Sequence, residues 1–359
     1  MSRILTHKTR HSSCRTFSDH MPVILIVLIL MIVSAALVRS YLFLSHHNVN
    51  LHGKTSTYLY IHTGSNFDSL RKVLYTPGYI RDIRMFEWTA HRMHFGKTIK
   101  PGRYLLIEGM TNRQLVNMLR AGRQEPVHLI ISGARTREDL AGKIGRQLES
   151  DSMKFLQLMK DNSFLKRFGL TPETVFALFI PNTYDIYWNT SAAGFFYRMY
   201  KENKRFWHGI RQKRADSLGL SPIEVITLAS IVEKETNANI EKPIIAGVYI
   251  NRLGKGIPLQ ADPTVIFAWN DYTIKRVLNK HLEIKSPFNT YKNCGLPPGP
   301  ICIPSISSID AVLNYSRHSY FYFCAKEDLS GTHNFAVTLA EHNRNAKRYQ
   351  EALTKINLR

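Results

Sequence analysis

The chain has 359 residues, 44% of them apolar, and carries 48 Lys and Arg against 27 Asp and Glu for a formal net charge of +21. That length and apolar fraction allow one large domain or two ordinary ones with a sizeable core, and no low-complexity tract or heptad run points to a fibrous chain. The positive balance predicts attraction to a polyanion: nucleic acid, anionic lipid headgroups or an acidic polymer.

Residues 21 to 44, MPVILIVLILMIVSAALVRSYLFL, run about seventeen positions from Pro22 to Val38 without a charge and continue through Tyr41 to Leu44. That is near the length at which a helix crosses a bilayer. The flank before it holds Arg3, Lys8, Arg10 and Arg15 against Asp19 alone. The positive-inside tendency then keeps residues 1–20 as a cytoplasmic tail and exports the rest. A cleaved signal peptide is the competing reading, but the run is long for one and no A-x-A site closes it. Export argues against a nucleic-acid partner and directs the positive charge at the cytoplasmic membrane surface or an anionic wall polymer. Cys14 falls on the cytoplasmic side. On the exported side Cys294 and Cys302 either close a short loop or stay free thiols, with Cys324 left over. No C-x-x-C occurs and the histidines lack zinc spacing, so no metal or other cofactor is expected.

Thr55 to His62 alternates as a strand. Ser65, with Asp68 at N3, opens a helix through Tyr75; a second helix covers 80–93, and 103–107 is a strand again. Thr111 and Gln114 form a capping box for a helix ending at Gly122. Residues 127–131 are a strand, and Thr136 opens the next helix. The helical period then dominates to about residue 254. Two segments interrupt it: 179–192, read as an ordered loop, and 211–220, read as a polar connector. Past Arg252 the chain is loop-rich, with a strand signal at 320–325 and a last helix over 337–353. No period of twenty to fifty residues repeats.

The stretch LASIVEKETN, 228–237, is the most informative. Ser221-Pro222-Ile223-Glu224 is a strong helix start. Apolar side chains at 223, 225, 226, 228, 229, 231 and 232 cover almost the full circumference, so this helix lies in a core. Glu233 and Glu235 sit about 200° apart around its axis. Glu235 shares the strip of Leu228, Ile231 and Val232, where desolvation raises a carboxyl pKa and fits it for general-acid work. Glu233 lies over Ala229 and Ser230. The competing reading is a solvated helix end with a local Glu–Lys pair.

LASIVEKET, VYINRL (248–253), PLQADPTV (258–265), SPFNTY (286–291), GLPPGPI (295–301) and THNF (332–335), in this order and spacing, resemble the MltG/YceG-like endolytic murein transglycosylases. The resemblance covers nearly everything after residue 21. It implies an α+β chain: a transmembrane helix over 21–44, a small LysM-like α/β module over 54–124, and a larger mixed α/β catalytic domain over 125–359. It also implies cleavage of the β-1,4 MurNAc–GlcNAc bond in nascent peptidoglycan with a 1,6-anhydro product, and wall-synthesis enzymes as candidate partners. The family's catalytic glutamate, the second of E-K-E, lands on Glu235.

Gln260, Asp262, Thr264, Asn289, Tyr291 and His333 are the expected substrate contacts, each with a structural alternative: a turn for 260–264, a satisfied core histidine for His333. Glu233 and Arg252 are expected to support the site from behind. Tyr184, Tyr187 and Trp188 are candidates for stacking on sugar rings or for core packing. Asp262 is the one obvious second carboxyl and leaves a hydrolytic, lysozyme-like outcome open. A membrane-tethered glycan-binding protein without activity is the alternative of another class.

Overall fold

The computed structural model describes residues 21–357. The basic flank and Cys14 lie outside the described residues. The chain divides into two compact units, with the boundary between Glu125 and Pro126.

The first unit opens with α1 (Met21–Ser45), a 25-residue helix whose side chains are almost all exposed and long and apolar enough to cross a membrane. Its last turn is held by the rest of the unit. The Phe43 carbonyl accepts from Asn112 Nδ2 at 3.2 Å and Thr89 Oγ1 at 3.4 Å, and the Phe43 ring meets Trp88 edge-on at 5.1 Å. The chain then enters bridges His47–Thr111 and Val49–Ile80. Strands β1 (Ser56–Ile61) and β2 (Gly102–Ile107) form an antiparallel pair around α2 (Phe67–Tyr75) and α3 (Ile83–Arg92), and α4 (Asn112–Ala121) follows. The expected strand–helix–helix–strand order is present. Asn66, not Ser65, caps α2 by accepting from Ser69 N. Leu59, Leu70, Phe86, Tyr104 and Leu115 make the core.

The second unit holds β3 (Val127–Ile131), α5 (Arg137–Gly145), α6 (Ser152–Lys160), α7 (Asn162–Leu165), β4 (Asn182–Ile186), α8 (Ala192–Trp207) and α9 (Ile210–Ser217). After these come α10 (Pro222–Glu235), α11 (Lys242–Gly254), α12 (Asp262–Trp269), α13 (Asn279–Leu282), α14 (Ile306–Leu313), β5 (Tyr322–Ala325), β6 (His333–Ala336) and α15 (Leu339–Asn357). Strands pair antiparallel as β3–β4 and β5–β6. Two expectations are corrected. The ordered loop at 179–192 contains β4, whose polar Asn182, Thr183 and Asp185 hide the strand because they are exposed while Tyr184 and Ile186 face the core. The polar connector at 211–220 is mostly helix α9, which buries only Ala215 and so shows no apolar stripe. One aromatic core lies between β3–β4 and α5–α8, with Phe155, Phe179, Phe195 and Phe196 fully buried. A second surrounds α10.

Gly247, inside α11, shows how closely the second core is fitted. A Cβ there would overlap the Ser316 carbonyl oxygen, which cannot retreat because Ser316 N donates to Pro243 O at 2.9 Å. Helix propensity favours Ala over Gly by about 1 kcal/mol, while overpacking costs about 1–3 kcal/mol. Gly247→Ala is therefore expected to lower stability. Denaturant unfolding checks this, and a gain in stability would show that the contact is slack.

Candidate active site

Helix α10 begins with a reciprocal cap: Glu224 Oε2 accepts from Ser221 N at 2.7 Å, and Ser221 Oγ from Glu224 N at 3.3 Å. Val225, Ile226, Leu228, Ala229, Ile231 and Val232 are at most 1% exposed, so the helix is enclosed on every side. Its two hydroxyls donate within it, Thr227 to Ile223 O and Ser230 to Thr227 O, and Ser230 Oγ also accepts from Ile301 N at 3.0 Å. The helix stops at Glu235, where Thr236 turns extended.

The two glutamates enter different surroundings, as their angular separation requires. Glu233 Oε2 accepts from Ser305 Oγ at 2.5 Å, Ser308 Oγ at 2.5 Å and Lys242 Nζ at 3.1 Å. It also faces the first turn of α14, accepting from Ser305 N at 3.3 Å, an arrangement that the helix dipole favours. Burial pushes this carboxyl up, but the two hydroxyls and the ammonium outweigh it and hold it below the usual range.

Glu235 Oε1 accepts from the phenol of Tyr249 on α11 at 2.5 Å. Burial pushes its pKa up to about 7; the Tyr249 hydrogen bond opposes this, Asp262 adds to it and Arg252 opposes it. Tyr249 is 2% exposed and meets Phe323 edge-on.

Glu235 opens on a cleft of about 360 Å³ shared with Tyr249, Arg252, Gln260, Asp262 and Tyr291. Asp262 opens α12 at the mouth, and its Oδ1 accepts from the Tyr291 phenol at 2.6 Å. Partial burial raises the Asp262 carboxyl against that hydrogen bond. Gln260 sits at φ 52°, a left-handed backbone rare for glutamine, and Gln260 N is fixed to Thr290 O at 3.0 Å. Arg252 is buried and donates to Phe321 O, Leu259 O, Pro258 O and Gln260 Oε1. It pins the 258–260 segment and Phe321, just before β5, to α11, and makes no ion pair among the described residues.

Three expected contacts lie elsewhere. Thr264 is fully buried, bonded to Ala261 O and Thr290 Oγ1. Asn289 is fully buried and donates to Leu282 O and Ile284 O while accepting from Tyr291 N. His333 meets Glu241 through both its backbone N–H and Nδ1, each at 2.8 Å. All three are bonded to neighbouring segments: Thr264 to Ala261 and Thr290, Asn289 to Leu282, Ile284 and Tyr291, and His333 to Glu241. Tyr184 and Trp188 are buried, and of that aromatic trio Tyr187 alone is exposed. Cys294, Cys302 and Cys324 are free.

Sequence reasoning missed Tyr249, Tyr322 and His342. Tyr249 stands 14 residues after Glu235 inside VYINRL, and helix pairing alone brings it in. Tyr322 and His342 stack at 5.5 Å on the cleft wall, and the buried His342 Nδ1 has no hydrogen-bond partner among the described residues. Nothing local to α15 marks that histidine.

An enclosed helix thus brings Glu235, its pKa raised by burial, to a polar cleft that it shares with Asp262 in an α+β domain. The YceG-like family model matches residues 59–348, and the chain belongs to that family. An endolytic murein transglycosylase of Bacillus subtilis (strain 168) is 28% identical over 82% of this chain and 85% of its own length. An enzyme of the same name from Streptococcus pneumoniae (strain D39) is 27% identical over 79% of this chain, which spans 56% of that protein. A crystal structure of a YceG-like protein from Listeria monocytogenes superposes with a TM-score of 0.54 and 29% identity, covering 81% of this chain and 99% of that one.

The two glutamates should leave opposite marks on stability. The lowered pKa of Glu233 means its contribution is present above the ordinary carboxylate pKa and is lost as pH falls through the folded value. Glu233→Ala is expected to cost about 1–3 kcal/mol at pH 7, discounted for partial exposure, with the deficit shrinking below about pH 4. The raised pKa of Glu235 works the other way: stability is fully present below the unfolded pKa and lost as pH rises to about 7. Glu235→Gln is therefore expected to gain relative to wild type across that window. Denaturant unfolding between about pH 2.5 and 8 checks both, and matching pH trends for the two variants would contradict the assignment.

Proposed function

We propose that the protein is a membrane-anchored endolytic peptidoglycan lytic transglycosylase, cleaving the β-1,4 bond between MurNAc and GlcNAc with Glu235 as acid and then base. The observation that carries this reading is the Glu235 carboxyl, which lines the cleft beside Tyr249 and Asp262 and is pushed to about 7. A carboxyl so placed is part protonated near neutrality and matched to proton transfer in both directions. The shared name of the relatives supports the substrate.

Protonated Glu235 gives its proton to the bridging oxygen as the bond from C1 breaks. The carboxylate that results is held by the Tyr249 phenol. It then takes the proton from the muramic acid 6-hydroxyl while O6 bonds to C1, closing the 1,6-anhydro ring and restoring the acid. Gln260, Asp262 and Tyr291 are the substrate contacts this reading keeps, and Glu233 and Arg252 fix the elements that carry Glu235. The positive charge of +21 is complementary to a carboxylate-bearing wall polymer and to anionic lipid. The same reading takes α1 as the membrane anchor, with the tail in the cytoplasm and the catalytic unit outside. It takes the β1–α2–α3–β2 unit as a LysM-like glycan contact and wall-synthesis enzymes as partners.

A hydrolytic outcome is the second reading, favoured by one observation: Asp262 shares the cleft and acts electrostatically on Glu235. A second carboxylate there is able to direct water to C1.

Digestion of polymeric peptidoglycan followed by mass spectrometry separates these. Anhydro ends from the wild type, with a loss of about a hundredfold or more in Glu235→Gln, are the expected result. Reducing ends would establish the hydrolase, and equal activity of the variant would remove Glu235 from the chemistry. Tyr249→Phe deletes the hydrogen bond that favours the ionised form, so the alkaline limb of the pH–rate profile should move upward. A limb that stays put would mean Tyr249 does not govern Glu235.

A further inference from the structure

A second cleft of about 380 Å³ opens in the same unit, beyond the opposite end of α12. Asp262, at the start of α12, lines the first cleft, and Phe267, five residues on, lines the second. At a rise of 1.5 Å per residue those positions are about 7.5 Å apart along the axis. The loop after α13 repeats this arrangement: Tyr291 faces the first cleft and Phe288 the second. The two clefts thus share α12 and the 288–291 segment as a common wall, with Asp262 and Phe267 about 140° apart around the helix axis.

The second cleft has fixed walls. Ile303 N donates to Ala134 O at 3.0 Å, and Arg137 Nη1 to Pro172 O at 3.2 Å, tying three segments together. Gly299 lies so close to the Glu173 carbonyl that no Cβ fits between them. Its floor includes the Phe267–Phe288 pair, with centroids 4.8 Å apart.

Its charges are unequal in availability. Glu138 is engaged by Lys160 at 3.0 Å, and Glu173 by the Thr171 hydroxyl at 2.7 Å. Arg135 is exposed and makes no ion pair among the described residues. Its guanidinium lies 5.5 Å over the ring of Tyr272, whose phenol donates back to Arg135 O at 3.3 Å. A guanidinium steadied on an aromatic face, with its N–H groups uncommitted, is a donor for a carboxylate.

We propose that this second cleft is a subsite for the peptide substituent of the glycan, with Arg135 binding a peptide carboxylate, Tyr272 holding the guanidinium, and the phenylalanine pair taking the aliphatic part. The proposal rests on the peptidoglycan reading of the first cleft and adds that the enzyme distinguishes peptide-bearing from bare strands.

Two measurements on the full chain in detergent test it. The first compares kcat/KM on peptide-bearing strands and on strands stripped by an amidase. The wild type should prefer the former, and Arg135→Ala should reduce that preference about tenfold, mainly through KM, with partial recovery in Arg135→Lys. The second titrates the free stem peptide by saturation-transfer NMR, independently of turnover. Binding should be at least tenfold weaker to Arg135→Ala and weaker still when the peptide carboxylates are amidated. An unchanged preference together with peptide binding insensitive to Arg135 would overturn the subsite. So would equal binding of the amidated peptide. A chain that cleaves no strand but binds the peptide through Arg135 would overturn the catalytic reading and keep the subsite.

Discussion

The cluster on Glu233 is the constraint from which the cleft follows. One carboxylate oxygen gathers two serine hydroxyls, a backbone N–H and a lysine ammonium, and so clamps the last turn of α10 against the start of α14 and the start of α11. A helix terminus frays unless its last groups are engaged, and frayed residues cannot hold a side chain to a fraction of an ångström. With Glu233 clamped, the opposite side of the same turn is fixed in space, and Glu235 meets Tyr249 on α11. Lys242 and Tyr249 belong to one helix, so a single packed pair of helices sets both ends of the arrangement.

The same turn separates two identical carboxyls by environment. Both are withdrawn from water, and burial raises both. Glu233 receives enough donors to reverse the effect and stays ionised as a structural anion. Glu235 receives one phenol and a nearby like charge, so burial prevails and its pKa rises to about 7. The difference is one of donor supply, fixed by Ser305, Ser308 and Lys242 and not by anything within EKE itself. Charge is stabilised where structure needs it and penalised where proton exchange is proposed.

Much of this was legible in the sequence. Ser221-Pro222-Ile223-Glu224 announced the start of α10, the all-round apolar pattern announced its burial, and 3.6-residue geometry sent Glu233 and Glu235 to different sides. Gln260, Asp262 and Tyr291 do line the cleft with Glu235. Thr264, Asn289 and His333 read equally well as contacts because a polar side chain in a motif looks the same whether it binds a ligand or a loop; only its partner decides. Strand β4 and helix α9 were hidden by polar outer faces. Tyr322 and His342 were out of reach because they arrive from about 90 and 110 residues downstream of Glu235 through the packing of β5 and α15.

The end of α1 carries a mechanical consequence. A single apolar helix joined to a domain by a flexible linker acts as a leash, leaving the domain free to turn. Here the Phe43 carbonyl is held by Thr89 and Asn112, its ring rests on Trp88, and two residues after the helix ends the chain is already bridged to Thr111. The helix is therefore a stem. Transmembrane helices commonly lean by about 20° from the bilayer normal, and such a lean would carry the β1–β2 unit with it as one lever. On the membrane-anchored reading proposed above, the surface that this unit presents would be set by how α1 sits in the lipid.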